Sequence, residues 1–387
     1  MPPLSAEQVA HSAAVLQRVH SELQARGGWF SFEEYLQQVL YAPGLGYYSA
    51  GAQKFGTAGD FTTAPEMSAL FGQCVARQCA PLLRALGADA EVLELGAGSG
   101  RLAATVLTRL DELDALPRRY LILEVSAELR ARQRALLMQL PAALAARVCW
   151  LEAWPAEPIR GVVLANEVVD ALPFRRFELG EQGLMELGVA ADSAGALHWS
   201  PRAADAPLQV EYRRMVSELP EAPAAPYVSE ICPLLNGWIA GIGHSLQAGA
   251  VLLFDYGFGR GEYYHPQRRQ GTLRCHYRQR AHDDPFLHPG LQDITAWVDF
   301  TRVAEAAVEA GLGISGYCTQ AAFLVGAGIE AELARSGDPL QQARRAGEAR
   351  RLLMPGEMGE SFKVMALTRD CPAALAGFAV QDLLRLL

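Results

Sequence analysis

The feature that most constrains how this chain can fold is a series of short apolar runs that do not alternate with polar residues. EVLELGAG (91–98), YLILEVS (120–126), VCWLEAW (148–154), GVVLANEVVDALP (161–173) and GAVLLFDYG (249–257) are separated by stretches of helical periodicity, such as Leu102, Val106 and Leu110. A strand that is apolar throughout needs cover on both faces, and strands that alternate with helices pair in parallel. The expectation is an α/β fold with a Rossmann-like, mostly parallel sheet and helices on both faces. The chain has 387 residues, half of them apolar, enough for a substantial core.

Around that sheet the rhythm changes. Residues 1–88 read as an N-terminal helical region ending in the stretch KFGTAGDFTTAPEMSALFGQ (54–73). There Thr63 and Glu66 have capping-box spacing and Pro65 falls in a first turn, so one helix is expected from about 64 to 86. Met67, Leu70, Phe71, Cys74, Val75 and Leu82 form its buried stripe. Gly56, Gly59, Asp60, Phe61 and Thr62 just before it look like a loop over a site. Residues 89–176 begin the core. Residues 177–226, with short strand-like pieces and Ala/Pro-rich loops, read as a cap insertion. The core resumes over 227–369 with an Arg/His-rich loop at 258–293, and 370–387 read as a tail with a peripheral helix. GYCTQAAFLVGAG (316–328) and SFKVMALTR (361–369) are expected to form an antiparallel edge.

A net charge of −9 argues against general binding to nucleic acid or anionic membranes. No apolar run reaches the roughly 18 residues of a membrane span. The N-terminal residues lack the marks of a signal or transit peptide. Seven scattered cysteines without a CxxC motif read as reduced residues of a cytoplasmic protein. His276, His282 and His288 are six apart, the wrong step for one helix face, and no metal site is expected.

The glycines of VLELGAGSG (Gly96, Gly98 and Gly100) follow an apolar strand, and Arg101 replaces the third glycine of a dinucleotide fingerprint. That disfavours an NAD(P) oxidoreductase. Glu94 lies within the strand, and Glu124 ends the next one, placed to accept both hydroxyls of a ribose. This pattern is similar to the first motif and second-strand acid of class I methyltransferases, with S-adenosyl-L-methionine as cofactor. A plain tight turn is the alternative. Glu152, Ala153 and Trp154 end the third strand, where the fold meets an adenine; a Trp filling a sheet corner explains the last equally well. Asn166, Glu167 and Asp170 end the fourth strand, where open parallel sheets bind ligands. A helix cap at Asp170 and a turn at Asn166 would explain two of these three, but not Glu167.

GDFTTAPEMSALFG, LELGAGSG, LANEVVDALPFRRFE, LLFDYG, DITAWVDFT and LLMPGEMGESFKVMAL occur in this order. Together they resemble the MidA-like methyltransferases, the family of a mitochondrial complex I assembly factor, over about residues 15–369. The resemblance implies protein arginine N-methylation by a class I fold. It assigns Gly96, Gly98, Gly100 and Glu124 to the cofactor, and Asn166, Glu167 and Asp170 to the acceptor. Asp60, Phe61 and Thr62 become a loop over the cofactor, with Asp60 facing it. Ala97 and Ser99 stand where many relatives have proline and arginine, and Asn166 where mitochondrial members carry histidine. The expected partner is a protein with an accessible arginine. A small-molecule methyltransferase and a non-catalytic assembly or binding module are the alternatives, and whether the chain forms a homodimer stays open.

Overall fold

The computed structural model describes residues 3–50, 63–335 and 338–387. The chain divides into two compact units: one of Met1–Phe61, Asp170–Leu235 and Gly259–Trp297, the other of Thr62–Val169, Asn236–Phe258 and Val298–Leu387.

The second unit holds the apolar runs. They form strands β1 (Glu91–Leu95), β2 (Tyr120–Leu123), β3 (Val148–Leu151), β4 (Ile159–Asn166) and β5 (Leu246–Phe258), joined by β6 (Gly313–Thr319) and β7 (Phe362–Arg369). Their order across the sheet is β3-β2-β1-β4-β5-β7-β6. β1 to β5 pair in parallel, while β7 lies antiparallel between β5 and β6, the expected antiparallel edge. Every residue of β1 is buried. That is the burial a strand covered on both faces requires.

Two local expectations fail here, each for a tertiary reason. The helix from 64 to 86 is broken into Ala64–Met67 and Ala69–Leu86, with Ser68 capping the second through Leu70 N–H. Thr63 makes no side-chain cap bond, because Glu66 is drawn to other partners described below. The tail forms two 3-10 turns, Ala376–Phe378 and Leu384–Leu386, rather than a helix. The Gly377 amide is taken by Gln78 Oε1 at 2.7 Å, and a Cβ at Gly377 would lie 2.5 Å from Phe323.

The first unit is antiparallel. Phe30–Ser31 pairs with Gly183–Ala191, which pairs in turn with Arg175–Gly180 and Leu197–Ala203, and Tyr227–Ile231 closes the other edge. The 258–293 stretch contributes a three-stranded sheet of Arg274–Tyr277, Arg280–His282 and Asp293–Thr295. An aromatic cluster forms the core, with Phe32 4.6 Å from Trp199 and 5.5 Å from Phe174 between ring centroids. The observed division differs from the expected boundaries. Residues 177–226, 258–293 and the N-terminal segment fall in one unit: Phe30–Ser31 pairs with Gly183–Ala191, and Gln270 forms a bridge with Val228. His276 lies opposite Ala281 and His282 opposite Cys275, so the two imidazoles leave opposite faces of their ladder. Among the described residues no group of three or more His, Cys, Asp or Glu could hold a metal ion. No helix among them is long and apolar enough to cross a membrane.

Candidate active site

The chain runs β1, β2, β3 toward one edge and then returns to place β4 on the other side of β1. Open α/β sheets bind ligands at such a reversal, outside the carboxyl ends of the strands. The register sets Leu95 beside both Leu123 and Ala165. The residues that follow β1, β2 and β4 therefore emerge at one end of the sheet. These are the glycine turn, Glu124 and Glu167, with the turn between the two acids.

The turn has the backbone that glycine favours. Gly96, Gly98 and Gly100 have φ of 64°, 54° and 86°. A Cβ on Gly96 would also lie 3.1 Å from Val168 Cγ2, so the segment after β4 packs directly against the turn. The Gly96 amide donates to Leu123 O at 3.0 Å, and the helix Arg101–Glu112 starts at Gly100. Glu66 holds the turn from the other side: Ser99 Oγ donates to its Oε1, and Arg101 Nε lies 3.0 Å from its Oε2. This is where the carboxylate expected in a capping box goes.

Glu94 is buried and accepts a 2.6 Å bond from the Tyr120 hydroxyl. Burial pushes its carboxyl up to about 7; the Tyr120 bond opposes this and the nearby Glu124 charge adds to it. Burial also holds the Tyr120 phenol well above its usual range. Glu124 is 5 % exposed, and its two oxygens accept from Ser126 N–H at 2.9 Å and Gln133 Nε2 at 3.1 Å. The same Gln133 nitrogen donates to Gly98 O at 3.0 Å, and Trp150 Nε1 donates to Gln133 Oε1 at 3.0 Å. Nothing local in the sequence marks Gln133 or Trp150 as part of this network.

At the end of β4, Glu167 has φ of 53°, a conformation a non-glycine residue seldom adopts. Its amide is anchored to Phe254 O at 2.8 Å, and Val169 N–H to Asp255 Oδ2 at 3.0 Å. Asn166 Nδ2 donates to Glu167 Oε1 at 3.1 Å. Asn166 Oδ1 is buried with no hydrogen-bond partner among the described residues. No helix forms directly after β4, so a cap does not explain Asp170, and Asn166 is the last residue of the strand rather than part of a turn. Asp170 opens a segment of the other unit, where it is buried and its carbonyl accepts from Ala296 N at 3.4 Å.

The third strand end is more open. Glu152 is exposed and ion-paired to Arg130 at 3.4 Å, and Ala153 is exposed. Trp154 packs over Gly241, where a Cβ would lie 2.6 Å from the indole, and so fills a corner of the sheet. Asp60, Phe61 and Thr62 lie outside the described residues.

This sheet, with a glycine turn at its reversal, a buried acid on the next strand tip and Arg101 in place of the pyrophosphate-fingerprint glycine, defines a class I S-adenosylmethionine-dependent methyltransferase. The residues fit that cofactor: a buried acid, Glu124, sits on the next strand tip beside a glycine turn open to close approach of a ligand. The chain belongs to the S-adenosyl-L-methionine-dependent methyltransferase family Methyltransf_28, whose model matches residues 74–318. It is similar to the protein of Danio rerio called "Protein arginine methyltransferase NDUFAF7, mitochondrial", at 29 % identity over 92 % of this chain and 86 % of that one. The Mus musculus protein of the same name is 27 % identical, over 88 % and 81 %. A crystal structure from Burkholderia thailandensis bound to S-adenosyl-homocysteine superposes with a TM-score of 0.93, at 44 % identity over 100 % of both chains.

Proposed function

We propose that this enzyme methylates an arginine side chain of a protein substrate. The observation that carries the reading is the pair of acceptors ending β4: a buried Asn166 Oδ1 without a partner among the described residues, next to the Glu167 carboxyl. A guanidinium presents several N–H donors in a plane and stays cationic below pH ~12. Glu167 would take two of those donors and localise the positive charge, and Asn166 Oδ1 would take a third. Glu167 would then accept the proton that the methylated nitrogen releases. Bound S-adenosylmethionine supplies an electrophilic methyl on a sulfonium, so the chain's own task is chiefly alignment.

On the cofactor side we assign Gly96, Gly98 and Gly100 to the amino-acid part and Glu124 to the ribose hydroxyls. The Glu167 strain fits the acceptor role, since left-handed non-glycine residues cluster where geometry matters to function. Relatives named protein arginine methyltransferases support the substrate class. Asp170, expected as a second carboxylate, enters this reading as a residue to be tested by Asp170→Asn. We also propose a reducing, cytoplasmic setting, on the sequence's seven scattered cysteines without a CxxC motif.

The test is radiolabelled S-adenosylmethionine with purified enzyme and a lysate lacking its gene, followed by acid hydrolysis. Label is expected in methylarginines. It should be lost in Glu167→Gln while S-adenosylhomocysteine binding persists. Label confined to small molecules, or undiminished in Glu167→Gln, would overturn the reading.

A further inference from the structure

We propose that Gln133 is a positioning residue for the cofactor, locking Glu124 and the glycine turn into one geometry; this rests on the assignment of Glu124 to the ribose. Gln133 is fully buried on the helix Ala127–Leu137, which follows the strand tip that carries Glu124. Its amide has three partners on three segments: Gly98 O at 3.0 Å, Glu124 Oε2 at 3.1 Å and Trp150 Nε1 at 3.0 Å. A glutamine amide can usually be turned end for end without penalty visible in its shape. Here it cannot. The indole N–H only donates, whereas a peptide carbonyl and a carboxylate only accept. A single orientation satisfies all three, and the two acceptors and the Trp150 donor on β3 agree on it.

The consequence falls on both halves of the cofactor region. Among the described residues Ser126 N–H donates to Glu124 Oε1 and Gln133 Nε2 to its Oε2. Two donors at opposite ends of a carboxylate fix the rotation of its plane, so its geometry is set before a ribose arrives. The second Gln133 proton holds the Gly98 carbonyl. Because the peptide is planar and trans, this turns the Ser99 N–H to the opposite side. The helix lies directly against the turn, since a Cβ on Gly100 would be in van der Waals contact with Gln133 Cα at 3.4 Å. With Gln133 buried, no solvent replaces a lost bond, and truncation would leave the carbonyl, the carboxylate and the indole short of a partner.

The experiment is calorimetry with S-adenosylhomocysteine and its 2′-deoxy analogue on Gln133→Met, Trp150→Phe and Glu124→Gln. Gln133→Met keeps the volume and removes all three bonds. It should weaken S-adenosylhomocysteine by about 10- to 100-fold, the scale of hydrogen bonds to charged groups. KM for S-adenosylmethionine should rise in parallel with kcat held within about twofold, the signature of lost uniform binding. With the deoxy analogue the penalty should shrink, because part of the Glu124 grip is already gone. Trp150→Phe, which removes the donor to Gln133 Oε1 and leaves its two acceptors in place, should cost about 3- to 10-fold with the same shrinkage. It also serves if Gln133→Met does not fold. Equal losses for the two ligands would make Gln133 merely structural and overturn the proposal. So would unchanged affinity in Gln133→Met, or in Trp150→Phe, alongside a loss in Glu124→Gln. Unchanged affinity in Glu124→Gln would instead remove the ribose assignment beneath it.

Discussion

Glu94→Gln should stabilise this protein increasingly as pH rises, and the size of the effect follows from the site. Glu94 is 2 % exposed within β1 and bonds the Tyr120 hydroxyl. Its carboxyl lies at about 7 in the folded chain against 4.5 for the unperturbed group. A raised carboxyl means that the folded state binds its proton more tightly than the unfolded state does. The stabilisation is therefore complete below pH ~4.5 and is lost progressively as pH climbs through ~7. A shift of this size is worth on the order of 3 kcal/mol at about 1.4 kcal/mol per pH unit. Glutamine has the same shape, can accept from Tyr120 and cannot ionise. The stability difference between Glu94→Gln and wild type should thus grow by about 2–3 kcal/mol between pH 5 and pH 8, the part of the shift inside that window. The assay is urea unfolding of the cofactor-free proteins at both pH values, followed by circular dichroism. A difference that is the same at the two pH values would refute the argument, since another group would then be titrating.

Two further outcomes follow from the same end of the sheet. Glu66→Ala should weaken S-adenosylhomocysteine by about 3- to 10-fold in calorimetry, because Ser99 loses an acceptor inside the turn. Glu66→Gln should recover most of that affinity, since the ion pair it breaks is to an Arg101 side chain that is 60 % exposed and worth little. Glu167→Gly should raise thermal stability by about 1 kcal/mol through relief of its left-handed backbone. The same change should abolish methyl transfer, which a labelling assay run beside the melt would show.

Much of the central sheet was legible because its strands carry their pairing in their own composition. An apolar run buried on both faces reads the same wherever its neighbours lie, and helices between such runs settle that they are parallel. The first unit was not legible in that way. Its edge strand Phe30–Ser31 pairs with Gly183–Ala191, and Trp29 Nε1 bonds Ser200 O across 171 residues of sequence. Two residues have no periodicity to read, so the segment looked like part of a helical extension and the insertion like a separate cap. Thr63 and Glu66 show the opposite failure. Their spacing was right for a capping box, but a capping bond is worth about 1 kcal/mol and the turn offered Glu66 two partners instead.

The site divides along the same line. Glu94, Glu124, Glu167 and the glycines could be picked out because each is chemically out of place locally: an acid in or just after an apolar strand, or a glycine where a helix begins. Gln133 is ordinary where it stands, on a polar helix among arginines. Trp150 is ordinary in an edge strand. What distinguishes them is complementarity, a donor-only indole facing an amide whose other end meets two acceptors. That property belongs to three segments at once, so no reading of any one of them contains it. The acids and glycines at this strand end can therefore be found one at a time, whereas the residues that make their geometry definite appear only when the fold sets them side by side.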